Sequence, residues 1–172
     1  MTLLMKSFGS RELLPPMEWI SYLMGGWRAG VFVIISIIAV WYYLGKLEAG
    51  LVALAGLTSL LNIPIKFLIS RPRPAPALVQ VFALETNSSF PSGHAMFVIL
   101  VFGFLAFLVI AHMQPGNRRV LIAAALIFII LLTGISRIYL GIHWPSDVLG
   151  GYLVGATLLA MLIYLYHNVR TV

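Results

Sequence analysis

The sequence predicts an all-α fold, an integral membrane helical bundle with five transmembrane helices and a short N-terminal interfacial helix, in one domain over 1–172. Three observations predict it. Apolar residues make up 61% of the chain and charged residues 9%, against roughly 25% charged in soluble domains. The apolar residues gather into five runs of the length, about 20 residues, that a helix needs to cross the hydrocarbon core. The ionisable side chains close to those runs, costly at membrane depth and therefore retained where they act, fall into three clusters: Lys66 to Arg73, Pro91 to His94 and Arg137 to Asp147.

Residues 1–26 mix Lys6, Arg11, Glu12 and Glu18 with Leu13, Leu14, Met17, Trp19, Ile20, Tyr22 and Leu23. Their apolar part is too short to cross. Pro15-Pro16 suits a helix start, Gly25-Gly26 its end, and Trp19 and Tyr22 the membrane-water boundary. A helix lying in the interface over 13–24 is therefore expected, against the alternative that Pro15 onward lengthens a tilted first span. No signal-peptide pattern precedes it, so the first span is expected to stay as an uncleaved anchor.

Spans are expected over 27–45, 48–69, 94–112, 120–140 and 147–166. Gly45-Lys46-Leu47 makes a tight turn. Asn62 and Pro64 inside the second span predict a kink whose freed backbone group is satisfied locally. The stretch 70–93 opens with Ser-Arg-Pro-Arg-Pro-Ala-Pro, and prolines at alternate positions favour an extended form that holds an arginine at low entropic cost. Such a segment turns about 120° per residue, so Arg71 and Arg73 are not expected to face one ligand together; Arg71 reads as a rim or headgroup contact. Glu85 reads as a solvated loop residue. Residues 113–119 form a polar turn. Trp27, Trp41, Tyr42, Tyr43, Trp144, Tyr164 and Tyr166 read as aromatic belts, and His112 and His167 as snorkelling interfacial groups.

The net charge of +6 comes from eleven Lys and Arg that form neither a run nor a basic face, which argues against nucleic acid. Four of them, Lys66, Arg71, Arg73 and Arg137, lie near the motifs and point to a compact anion. The absence of cysteine excludes disulfides and thiolate metal sites. Spans alternate in direction, so the end of the second, the start of the third, the end of the fourth and the start of the fifth share one membrane face. Lys66, His94, Arg137 and Asp147 occupy those four places.

A phosphate group needs cations with fixed donors, and Lys66, Arg73 and Arg137 supply them. Ser92 and Gly93 precede the third span, whose N-terminus offers free backbone N–H groups to an anion, with glycine permitting close approach. His143 and Asp147 stand four apart at a helix start favoured by Pro145. That spacing puts carboxylate and imidazole on one face, so that Asp147 accepts one ring N–H and leaves the other nitrogen to attack. His94 is then the acid for the departing alkoxide and the base for the water that hydrolyses a phosphohistidine. A metal held by His94, His143 and Asp147 is disfavoured by the neighbouring cations.

Lys66 to Pro74 reads Lys-x6-Arg-Pro, Pro91 to His94 reads Pro-Ser-Gly-His, and Ser136 to Asp147 reads Ser-Arg-x5-His-x3-Asp. In these three motifs, in this order and with every fixed position matched over 66–147, the chain resembles the type 2 phosphatidic acid phosphatase superfamily of lipid phosphatases. The resemblance implies a helical bundle, metal-independent and cofactor-free dephosphorylation, a phosphohistidine at His143, phosphate binding by Lys66, Arg73, Ser92, Gly93 and Arg137, and a lipid phosphate as substrate. Membrane members of that family usually have six spans, and here the first is reduced to 13–24. Two other classes fit part of the pattern: a non-catalytic transporter or anionic-lipid binder, which has no use for the His143–Asp147 pair, and a vanadate-dependent haloperoxidase, which a short membrane-embedded chain does not suit. Outside the motifs, Lys46, Arg118, Arg119 and Arg170 stand on the face opposite the pocket, and Lys6, Arg11 and Arg28 on the pocket face. That balance leans toward a multi-pass protein whose site faces away from the cytoplasm.

Overall fold

The spans and the N-terminal helix are present in the computed structural model, which describes residues 11–76, 79–83 and 85–170. Lys6 lies outside them, as do residues 1–5 and 7–10 of the segment expected over 1–26 and Ala77 of the proline-rich stretch. A 3₁₀ turn over Arg11–Leu13 leads into α1 (Leu14–Leu23), with the expected prolines in its first turn. α2 runs over Gly26–Tyr43, α3 over Lys46–Thr58, α4 over Asn62–Ile69, α5 over Gly93–His112, α6 over Asn117–Tyr139 and α7 over Pro145–Arg170. Five helical stretches among the described residues are long and apolar enough to cross a membrane: α2, α3 through α4, α5, α6 and α7.

α1 is not an extension of the first span. The chain breaks at Met24-Gly25, and Gly26 takes the left-handed φ of 58° that a side chain would resist. Ten helical residues reach about 15 Å, half the hydrocarbon thickness. α1 packs against the end of α6 and the start of α2, and leaves Trp19, Tyr22 and Leu23 exposed.

The break in the second span is a 3₁₀ turn over Ser59–Leu61. Pro64 has no N–H to return to the preceding turn, which forces the helix to re-form around it. Asn62 reaches beyond the kink. Its side chain is buried and donates to the Pro91 carbonyl at 3.0 Å, twenty-nine residues away.

α5 is apolar all round, the pattern of a buried helix, and it is the axis of the bundle. Ala95, Met96, Val98, Leu100, Val101 and Phe104 are fully buried as α5 packs against α3, α6 and α7. α7 approaches α5 closely because Gly151 and Gly155 face it. A Cβ on Gly151 would fall 2.6 Å from the Ser92 carbonyl, and one on Gly155 would strike Ile99. Phe32 of α2 stacks on Phe102 of α5 at 4.5 Å. Outward positions carry Ile34, Ile35, Ile38, Leu68, Phe128 and Leu153, all exposed and all apolar, far more apolar surface than a soluble monomer shows.

Two of the readings made from position alone are corrected. Tyr166 is buried rather than in a belt; its hydroxyl pairs with His112 Nε2 at 2.8 Å and accepts from Arg170. His112 also stands 3.6 Å from Glu48, so it belongs to a polar network inside the bundle and does not snorkel, while His167 packs edge-on against Phe107 and Tyr166.

Candidate active site

The motif residues meet at one end of the bundle, tied by backbone bonds between distant segments. Ser92 N–H donates to the Asp147 carbonyl at 2.9 Å, Ser89 N–H to the Arg71 carbonyl at 2.8 Å, and His143 N–H to the Arg137 carbonyl at 3.3 Å. Six of the eight expected site residues stand at element ends, while Arg73 lies in the extended stretch after α4 and His143 in the turn between α6 and α7. Lys66 lies in the last turn of α4, which stops because Ser70 turns left-handed at φ 46°. Ser92 caps the start of α5, Gly93 and His94 open it, Arg137 closes α6, and Asp147 sits in the first turn of α7.

Around His143 the donors and acceptors fix the tautomer. The ring is buried, with Nε2 3.4 Å from Arg73 Nη1 and Nδ1 3.6 Å from Asp147 Oδ2. A guanidinium only donates, so Nε2 presents its lone pair to Arg73 and the proton lies on Nδ1, facing the carboxylate. The 3.6 Å separation is just beyond hydrogen-bond length, and such contacts close in the substrate complex. Burial pushes the His143 imidazole below its ordinary value; the Asp147 carboxylate works the other way without restoring it.

Asp147 is fully buried and saturated with donors. Oδ1 accepts from Arg71 Nη1 at 2.7 Å, and Oδ2 accepts from Ser89 Oγ and from Trp144 N–H at 2.9 Å. The Trp144 bond is half of a capping box at the α7 start, so the same carboxylate caps the helix and aims the imidazole. Arg71 also reaches Ser146 Oγ at 2.9 Å. It is therefore not a rim residue; it neutralises the carboxylate behind the histidine, while Arg73 takes the other side of the ring.

Arg73 is held by carbonyls, donating to Asn87 O at 2.8 Å and Ile142 O at 2.6 Å. Lys66 Nζ donates to the Ser88 carbonyl. Arg137 is almost fully buried and donates through Nη1 to Ser21 Oγ. Glu85 joins the two arginines: Oε2 accepts from Arg73 at 2.6 Å and Oε1 accepts from Arg137. Burial alone would raise its carboxyl, but Arg137 and Arg73 together hold it below the usual carboxylate range. The expectation of a solvated loop residue is thus overturned by those two guanidiniums.

His94 Nε2 is 3.1 Å from the Ser21 carbonyl, and since a carbonyl accepts, that nitrogen carries a proton. Ser21 thereby touches both His94 and Arg137 and makes α1 a wall of the site. Gly93 is required by the approach of Asn62, whose Oδ1 would stand 2.9 Å from an added Cβ. Three buried polar atoms, Ser92 Oγ, Arg137 Nε and His143 Nδ1, have no hydrogen-bond partner among the described residues. Among the described residues no group of three His, Asp or Glu side chains is placed to hold a metal ion.

Ser21, Asn62, Ser89, the role of Arg71 and that of Glu85 were missed from the sequence. Only Glu85 carried a usable signal, as the sole acid in the stretch 70–93 beside so many cations.

Residues 47–171 match the sequence profile of the PAP2 superfamily. Phosphatidylglycerophosphatase B of Bacillus subtilis (strain 168) is 41% identical over 108 residues, 60% of this chain and 50% of that protein. Undecaprenyl-diphosphatase BcrC of the same organism is 32% identical over 138 residues, 77% of this chain and 66% of that one. The chain thus spans between half and about two thirds of the length of these curated relatives. The crystal structure of a transmembrane PAP2-type phosphatidylglycerolphosphate phosphatase from Bacillus subtilis superposes with a TM-score of 0.85 at 27% identity, covering 97% of this chain and 83% of that one.

Proposed function

This chain belongs to the PAP2 superfamily, and we propose that it is a membrane-integral lipid phosphatase that hydrolyses the phosphate monoester or diphosphate of a lipid headgroup through a phosphohistidine. The observation that carries this reading is the His143 ring. Its lone-pair nitrogen lies 3.4 Å from an arginine and its other nitrogen faces a buried carboxylate, an arrangement that a site for binding alone does not need.

In the first step His143 Nε2 attacks phosphorus. The N–P bond forms as the P–O bond to the leaving group breaks, and that group, a lipid alkoxide from a monoester or a lipid monophosphate from a diphosphate, takes a proton from His94. In the second step water attacks phosphorus, gives its proton to His94, and the P–N bond breaks to release inorganic phosphate. Lys66, Arg73, Arg137, Ser92 and the Gly93 N–H hold the equatorial oxygens, where charge accumulates. Asp147, fixed by Arg71, stabilises the imidazole as positive charge grows on it. The same end of the bundle lies at the membrane boundary, so the tail stays in lipid while the headgroup reaches His143. The similarity to a phosphatidylglycerophosphatase and an undecaprenyl-diphosphatase supports a lipid phosphate as substrate, and the Lys and Arg balance supports a site on the non-cytoplasmic face.

Phosphate release from a panel of lipid phosphates by purified protein tests this. Release by wild type that persists in EDTA, is blocked by vanadate and is lost in His143→Ala is expected. A protein that binds the lipids but releases no phosphate is a binder or transporter, and the proposal falls.

A further inference from the structure

We propose that the Glu85 carboxylate is a built-in competitor for the phosphate seat, closing Arg73 and Arg137 onto itself in the free protein and stepping aside when a phosphoryl group arrives. The inference rests on the reading of those two arginines as phosphate ligands. Its two oxygens are shared out one to each guanidinium, Oε2 to Arg73 at 2.6 Å and Oε1 to Arg137. Two adjacent phosphate oxygens make the same demand on a pair of guanidinium forks. A carboxylate has no oxygens beyond these two. Among the described residues Ser92 Oγ and Arg137 Nε stay without partners, and a tetrahedral group with more oxygens satisfies donors that Glu85 leaves idle.

A structural clamp would look different. Glu85 is about a third exposed, whereas Arg137 beneath it is at 3%. It borders a cavity of about 350 Å³ with Ser70, Arg71, Thr86, Asn87 and Ser88, which gives the displaced side chain room. The arginines do not depend on it for their positions: Arg73 keeps the Asn87 and Ile142 carbonyls, and Arg137 keeps Ser21. Because the two arginines keep Glu85 ionised, every ligand must displace a full negative charge. A dianionic phosphate monoester or a diphosphate brings more charge to the exchange than a monoanionic diester. The competitor thus selects for terminal phosphates and against the diester headgroups of the surrounding lipid.

Binding of inorganic phosphate and orthovanadate to the detergent-purified full chain, measured by titration calorimetry, tests this without turnover. Glu85→Gln is expected to bind both about tenfold more tightly than wild type, equivalent to ~1.4 kcal/mol. Glu85→Asp, too short to bridge both arginines but still charged beside Arg137, guards against a variant that fails to fold and is expected to fall between the two. Affinity in the folded variants that is unchanged or weaker than wild type overturns the proposal. Lipid phosphate turnover by wild type is assayed separately. If it is absent while the variants bind phosphate more tightly, the hydrolase reading fails and the competitor stands.

Discussion

The His143 ring is neutral because of where it is, and the direction of that effect fixes a pH dependence. Burial makes the charged ring costly and lowers its affinity for a proton. On the proposed mechanism the nucleophile is therefore available at every pH above its lowered value and is lost as pH falls through it. The acid limb of kcat/KM is expected below about 6.5, the value of a free histidine. In Asp147→Asn the limb moves further down, because the carboxylate is the group that favours the protonated ring, and kcat falls by several orders of magnitude, as in the comparable Asp–His pair of serine proteases, about 10⁴. A pH–rate profile of wild type and variant checks both. Arg71 acts one step behind. In Arg71→Ala, Asp147 keeps Ser89 and Trp144 but loses its countercharge. The expected result is a kcat lower by roughly tenfold to a hundredfold with KM little changed, and partial rescue by Arg71→Lys. A rise in KM with kcat intact would instead place Arg71 on the substrate. Its role was illegible in the sequence because the extended segment told only that Arg71 and Arg73 point apart, and which one meets Asp147 depends on the fold seventy-six residues on.

Helix ends deliver these groups, so changes in helix packing should reach the site. Gly151 is the sharpest case. Its missing Cβ would press on the Ser92 carbonyl at 2.6 Å and on Ala95 at 3.0 Å, and Ser92 is itself bonded through its N–H to the Asp147 carbonyl. Gly151→Ala is expected to lose about 1–3 kcal/mol of stability through overpacking, read as a lower melting temperature in detergent, and to weaken phosphate binding as α5 is pushed off α7. The spans themselves were legible, since a run of apolar residues is a local property of the chain. α5 differs from expectation by one residue at its start, and α6 and α7 begin three and two residues early. What could not be read was how the short α1 is used. Its amphipathic composition announced a boundary helix, but Ser21 meets Arg137 across a separation of 116 residues, and no periodicity within ten residues encodes that. The motifs named candidate groups that the fold brings to one end of the bundle; their mutual partners had to wait for the packing.

For the molecule as a whole, the arrangement sets two asymmetries, one across the bilayer and one along the substrate. The chain has no cysteine, so single cysteines report sidedness without background. Thr86, exposed in the loop over the site, and Pro115, exposed in the turn at the far end, are the natural pair. With the site facing away from the cytoplasm, a membrane-impermeant thiol reagent applied to intact cells labels Thr86→Cys and leaves Pro115→Cys unmodified; the reverse pattern inverts the orientation. The second asymmetry follows from the apolar exterior. The residues exposed around the spans are lipid-facing, the candidate site lies at one end of a bundle whose axis is filled by α5, and the apolar cavity of about 770 Å³ among α2, α5 and α6 opens at the opposite end, beside His112 and Met113. A substrate's chain must then remain in the bilayer while its phosphate enters, and the bilayer supplies the anchoring energy, about 0.8 kcal/mol per buried CH₂. On the proposed function a long-chain lipid phosphate is held where its headgroup meets Arg73 and His143, whereas a water-soluble phosphate ester must find the site from solution and displace Glu85 without help. Glycerol 3-phosphate is therefore expected to be turned over with a kcat/KM at least about a hundredfold below that of a long-chain phosphatidic acid in the same vesicles, because remote binding energy serves the reacting centre. Equal efficiency on the two would mean that the phosphate arrives from water and that the apolar surface plays no part in selecting it.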